Sequence, residues 1–262
     1  MGSALRRPRD VQSYGDLAGR SFERRTVMPE KPFKHDPVVA KMVDRQMRNL
    51  ELLRSQRPPA PAQGPAVQDF ITVSRAVGSG GSEVARLLGE RLGWSVLDKQ
   101  ILQHMAGDDS VRERLYASMD ERDLSWVEEA MRAFLQAEFV KNDYFHRLAE
   151  TVLATARQGH AIFVGRGADL VLPRDLGLRV RLVASHADCV RRYAEQNHLA
   201  PDVAEREIAK IEKEREQFIR TRFRVDPARP DRYDVVLNLS RLTVAGAVDV
   251  VLAAMKARAP TS

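Results

Sequence analysis

One cysteine in 262 residues, Cys189, leaves no intramolecular disulfide framework and no cysteine cluster for zinc. A buried structural thiol is the expectation for it. No apolar run approaches the ~20 residues a membrane span needs, and no apolar stretch follows the arginines of MGSALRRPRD, so neither a membrane anchor nor a secretory leader is expected. The expected compartment is the cytoplasm. The six histidines are scattered, with no H-E-x-x-H or other metal spacing. Excess charge is also missing from most of the chain. The formal net charge is +6, yet residues 1–66 hold 13 Lys+Arg against 7 Asp+Glu, so the remaining 196 residues balance. A body without net positive charge is a poor polyanion binder, and nucleic acid is not expected as its partner.

What is present divides the chain into three. Residues 1–36 are rich in Arg, Pro, Gly and Ser without apolar periodicity and read as a disordered basic arm. Val38, Val39, Met42, Val43, Met47, Leu50 and Leu53 recur at three- and four-residue spacing, which predicts an amphipathic helix over 37–56. A proline-rich linker follows to residue 66. That helix has no sequence neighbour to bury its stripe, so it docks either on the body or on a protein partner. From residue 67 onward, β-rich runs alternate with helical patterns. The strands are expected at 70–74, 94–97, 161–164, 178–183 and 233–238, and residues 99–158 are expected to be helical almost throughout. A charged helix covers 201–224 and a closing helix 243–257. Alternation of this kind predicts an α/β fold with a parallel sheet and flanking helices.

The first strand runs into Gly78-Ser-Gly-Gly81 and then a helix. Glycines there let successive amides converge on phosphate oxygens, and the helix N-terminus adds positive potential. Against the template G-x-x-x-x-G-K-[ST], the segment 75–82 keeps Gly80 and the hydroxyl of Ser82, but it has Arg75 for the first glycine and Gly81 for the lysine. A dinucleotide fingerprint fails as well, because Glu83 stands where its third glycine belongs.

Further motifs accompany the loop: Ile71-Thr-Val-Ser-Arg75, Leu97-Asp-Lys99, Val164-Gly-Arg-Gly167, the stretch 212–218 and Tyr233-Asp-x-Val-x-Asn238. In this order, across residues 70–257, the chain resembles the cytidylate kinase-like family, relatives of the P-loop nucleoside monophosphate kinases. The resemblance implies a P-loop NTPase-type domain over 67–262 with a helical lid at about 201–232. It also implies ATP-dependent phosphoryl transfer to a nucleoside monophosphate, with ATP and Mg2+ required.

Carried over position by position, Gly78, Ser79, Gly80, Gly81 and Ser82 would cradle donor phosphate, and Ser82 would assist the magnesium ion. Arg75 would replace the missing lysine. Asp98, Lys99 and Asp169 would lie at the acceptor, Arg166 would hold its phosphate, and Arg215 would reach the transferring group from the lid. Without a ligand, Arg215 is expected to be exposed and away from the loop. Two departures stand out: Val164 replaces an acid at the end of the third strand, and Gly167 replaces the aspartate after the Gly-Arg pair. These departures keep open a second reading, a nucleotide-binding regulatory or adaptor protein with little turnover.

Overall fold

The computed structural model describes residues 36–56, 69–136 and 143–258. The expected basic arm and the proline-rich linker fall outside these, apart from Asp36 and the end of the helix before the linker.

Five parallel strands form one sheet in the order β2-β3-β1-β4-β5: β1 Phe70–Arg75, β2 Ser95–Leu97, β3 Ala161–Val164, β4 Leu178–Val183 and β5 Val235–Asn238. Side chains alternate across the sheet with the period of two that a pleated strand imposes. Phe70, Leu97, Ala161 and Phe163 enter the larger core, while Ile71, Val73, Ile162, Val164, Val180 and Leu182 enter the other. Both faces are covered, as an all-parallel sheet requires. The larger core is roofed by α3 Lys99–Gly107, α4 Asp109–Ala117, α5 Glu121–Gln136 and α6 Asp143–Gln158; the other by α2 Gly81–Leu92 and α10 Val244–Ala257. The short α7 Ala168–Val171, with α8 His186–Asn197 and α9 Pro201–Phe223, completes the chain.

The region expected to be helical almost throughout 99–158 is built of α3 to α6, and the first break between them has a local reason. Asp108 closes α3 through its N–H on the His104 carbonyl and opens α4 by accepting the amides of Ser110 and Val111 at 3.0 and 3.3 Å. One residue therefore acts as C-cap and N-cap, and the helix axis changes there. The second strand begins at Ser95 because the Trp94 amide is spent on the Gly89 carbonyl, closing α2. The fifth begins at Val235, because Tyr233 closes a 3-10 turn over Pro230–Arg232.

The predicted amphipathic helix is α1, Pro37–Ser55, and it docks on the chain itself. Val39, Val43, Met47 and Leu50 are buried in the larger core, and the Asn49 amide donates to the Gly93 carbonyl and Ser95 hydroxyl at 3.2 and 3.0 Å. Arg114 ties Asp44 and Glu51 of α1 to α4. Of its two expected attachments, the body holds the buried stripe.

Arg179 shows how β4 is anchored. Its side chain, 1% exposed, donates to the carbonyls of Asp169, Leu172, Pro173, Arg174 and Leu176 at 2.6–3.2 Å. Burial, then Arg174, lowers its pKa to about 10. One guanidinium thus satisfies a turn that no secondary structure pairs. Arg179→Met is expected to cost about 3–5 kcal/mol, because buried carbonyls lose charge-assisted donors. For a domain of this size that is roughly 10 °C of melting temperature. A thermal melt followed by circular dichroism checks this; a shift under 2 °C would show that water replaces the guanidinium.

Candidate functional site

The C-terminal ends of β1, β3 and β4 face one region, where an open parallel sheet presents its ligand site. β1 continues through Ala76, whose amide still reaches the Leu182 carbonyl at 3.0 Å, and the chain then turns through Gly78 (φ 75°) and Gly80 (φ 88°) into α2. Left-handed backbone is inexpensive only for glycine. Gly78 has a second reason to be glycine: a Cβ there would lie 2.3 Å from the Cys189 carbonyl oxygen of α8. Among the described residues, the amides of Gly78, Gly80, Gly81 and Ser82 donate to nothing in the chain. They form a concave set of donors at a helix N-terminus, suited to an anion. Ser79 differs from its neighbours. Its hydroxyl and amide both donate to the Ala76 carbonyl, at 2.8 and 3.3 Å, and it is fully buried, so it shapes the loop from inside. The Ser82 hydroxyl sits exposed in the first turn of α2.

The loop lacks the template lysine because Arg75 takes the space. A Cβ at Gly81 would stand 2.6 Å from Arg75 Cβ, and one at Gly165 would stand 2.7 Å from Arg75 Nη1. Two glycines from different loops therefore form a slot along which the Arg75 side chain runs. Burial, then Arg215, lowers its pKa to about 10, against the pull of Asp98 and Glu212. The guanidinium remains charged at neutral pH, and its buried Nε has no hydrogen-bond partner. A desolvated cation with unused hydrogen-bonding capacity is expensive unless an anion completes it.

Other cations stand near. Lys99, at the start of α3, has its pKa lowered by burial first and then by Arg166, with Arg215 adding and Glu214 opposing. Arg166 sits in a run of three left-handed residues, Gly165, Arg166 and Gly167, with its guanidinium carbon 5.1 Å from the Phe218 ring centre. Arg181, on the same face of β4 as Arg179 but closer to the strand end, lies 5.8 Å from the Tyr233 ring and depresses the Arg215 pKa. The structure thus brings Arg75, Lys99, Arg166 and Arg215 into one electrostatic neighbourhood with Asp98.

Asp98 has a local task as well: one carboxylate oxygen accepts the amides of Gln100 and Ile101 at 2.9 and 3.0 Å, capping α3. Asp169 is placed elsewhere. It is buried, its carboxylate holds Arg232 at 2.5 Å, and its carbonyl accepts from Arg179. The absence of an acid at Gly167 has a steric reason too, since a Cβ there would lie 2.4 Å from the Phe223 ring.

The lid helix departs from expectation. Arg215 is 37% exposed and already donates to the Arg75 carbonyl at 3.2 Å, so it stands at the loop without any ligand. The reason is that α9 is pinned along its length. Ala204 and Ile208 are buried near α8, and Phe218 and Phe223 pack edge-on with Phe145, whose ring centres lie 6.4 and 5.2 Å away. A helix held at these points carries its middle, with Glu212 and Arg215, against the glycine turn.

Two further contributors are Arg192, which carried no sequence signal, and Glu212, which opens the motif stretch 212–218 but was given no role there. Arg192 of α8 donates to the Ser79 and Leu239 carbonyls at 2.6 Å each, binding the loop to the segment after β5. Glu212 accepts the Val77 amide at 2.5 Å. In the sequence, each is one charge among many on an exposed helix. Among the described residues, no group of three or more His, Cys, Asp or Glu comes together to hold a metal, and no helix is long and apolar enough to cross a membrane.

The model of the cytidylate kinase-like family matches residues 70–241. A solved structure of an uncharacterized protein from Eubacterium ventriosum superposes with a TM-score of 0.59 at 19% identity, covering 73% of this chain and 99% of that one. Shikimate kinase from Bacteroides thetaiotaomicron gives 0.40 at 13% identity, over 72% and 98% of the two chains. No curated protein matches.

Proposed function

The chain belongs to the cytidylate kinase-like family, and on that footing we propose that it transfers a phosphoryl group from ATP to a nucleoside monophosphate. The observation that carries the reading is the slot between Gly81 and Gly165, which holds a half-buried arginine where a phosphate loop needs its cation. Phosphoryl transfer asks little covalent chemistry of a protein. It asks for aligned reactants and positive charge around a spreading negative one.

In this reading the amides of Gly78, Gly80, Gly81 and Ser82 hold the donor phosphates, and Arg75 neutralises them. Arg166 and Lys99 hold the acceptor phosphate, Asp98 orients the acceptor, and Arg215 reaches the transferring group from α9. Asp169, held by Arg232, contributes by fixing the segment after Arg166. Magnesium fits as part of the nucleotide: the exposed Ser82 hydroxyl is a suitable single oxygen ligand, and phosphates and waters complete the shell. The metal would supply charge neutralisation across the phosphates.

The apolar end of β3 favours a second reading. Val164 is buried in the core at the position where an acid would support magnesium, which suits a nucleotide-binding regulatory module without turnover. ADP production from Mg·ATP with each common nucleoside monophosphate separates the two; binding without ADP favours the module. In either case, Mg·ATP at 100 Kd is expected to stabilise the protein by about 2.7 kcal/mol. Gly80→Val should abolish that shift, since φ 88° excludes a β-branched residue. No shift at millimolar Mg·ATP would overturn both readings.

A further inference from the structure

We infer that Glu212 is a built-in competitor of phosphate, a carboxylate that stands at the rim of the loop, against the Val77 amide and Arg215, and that a bound ligand must displace. The inference rests on the nucleotide reading above and adds a competitor to it. The Glu212 carboxylate meets the loop at its first turn residue, accepting the Val77 amide, and lies 3.9 Å from Arg215 Nη1. Its charge favours the protonated state of Arg75, and it opposes ionisation of the Cys189 thiol of α8. Three features of a bound phosphate are therefore reproduced by one side chain: an acceptor for a loop amide, a counter-charge for the half-buried guanidinium of Arg75, and a partner for the arginine of α9.

The physical motive is the cost of an empty site. A partly desolvated guanidinium without a counter-charge raises the free energy of the folded state. Glu212 offsets that cost while the site is empty and, by the same contacts, opposes entry. Its side chain is 39% exposed, so it can swing into solvent when a more highly charged ligand arrives. Arg215 then exchanges a carboxylate for the phosphate, with α9 still held by Phe218 and Phe223. Affinity in such an arrangement is reduced by the fraction of molecules in the blocked state.

The test uses the full chain and the Val77 amide. In Glu212→Ala, exchange of that amide, resolved by NMR without ligand, is expected to speed about tenfold, and Mg·ATP and tripolyphosphate should each bind about five- to tenfold more tightly. That is the scale of one half-exposed, charge-assisted bond. Glu212→Gln keeps an acceptor oxygen without the charge. It should protect Val77 more than alanine does and still raise affinity. Unchanged Val77 exchange in Glu212→Ala, or affinity that is equal or weaker, overturns the inference while wild-type binding leaves the nucleotide reading intact. Binding by neither protein overturns the nucleotide reading and this inference with it, and the flat wild-type titration distinguishes that failure from the first.

Discussion

Arg75→Ala is expected to lower ATP-dependent turnover by about 10³-fold or more, with the melting temperature unchanged or slightly raised. A cation against a transferring phosphoryl group is worth that much in rate, whereas its contribution to folding has the opposite sign. Burial depresses the Arg75 pKa to about 10, which means the folded state tolerates the charge at a cost. Removing a desolvated charge relieves the cost, offset by the cavity left between Gly81 and Gly165. Arg75→Met fills that cavity and isolates the charge: it should be at least as stable as the native protein and equally inactive. The slot also predicts a rescue. Gly81→Lys alone puts a Cβ 2.6 Å from Arg75 Cβ and should cost both stability and turnover. Combined with Arg75→Gly, it has room, restores the template lysine, and should recover part of the lost rate. Full activity in Arg75→Ala would move the essential charge to Lys99 or Arg215.

The distinction between Arg75 and Arg215 marks what the sequence makes legible. The alternation of strands and helices, the glycine turn and the five-stranded parallel sheet follow from local patterning, because period-two burial and glycine at φ 75° and 88° are constraints a linear sequence displays. Arg75 could be chosen for the same reason: the missing lysine and the extra glycine at 81 stand in one short segment. Arg215 belongs to a group set by tertiary packing. Its position depends on Phe218 and Phe223 reaching Phe145 of α6, and a charged helical stretch gives no sign of which way its middle will face. Arg192 was illegible for the same reason, and Glu212, although it opens the motif stretch 212–218, gave no sign that it would meet the Val77 amide. Asp169 shows the converse, since an acid near a glycine-arginine pair attracts a ligand role, whereas its partner Arg232 comes from 63 residues away. The break between α3 and α4 hinged on Asp108 capping in both directions, a local event that an apolar pattern spanning the break conceals.

The contact between Arg215 and the Arg75 carbonyl makes the second large expectation specific. Arg215→Ala should cut turnover by about 10²–10³-fold and move the melting temperature by less than 2 °C. The two magnitudes separate because the native interactions are weak for stability and strong for the reaction. In the ligand-free protein, Arg215 makes one backbone hydrogen bond at 3.2 Å and a 3.9 Å pairing with the half-exposed Glu212. Such a pair contributes about 0.5 kcal/mol after solvent screening. Burial lowers its pKa, Glu212 opposes that, and Arg181 adds to it, so the guanidinium is already partly desolvated where negative charge would develop. Positioned in advance, it stabilises a transition state without a large reorganisation. The anchors of α9 are Ala204, Ile208, Phe218 and Phe223, none of which the substitution touches. Arg215→Lys keeps the charge and loses the planar fork, and it should recover only a minor part of the rate. The measurements are kcat per folded molecule beside a thermal melt. A fall in melting temperature beyond 5 °C, with kcat per folded molecule preserved, would make Arg215 a strut between α9 and β1 and would favour the module that binds nucleotide without turning it over.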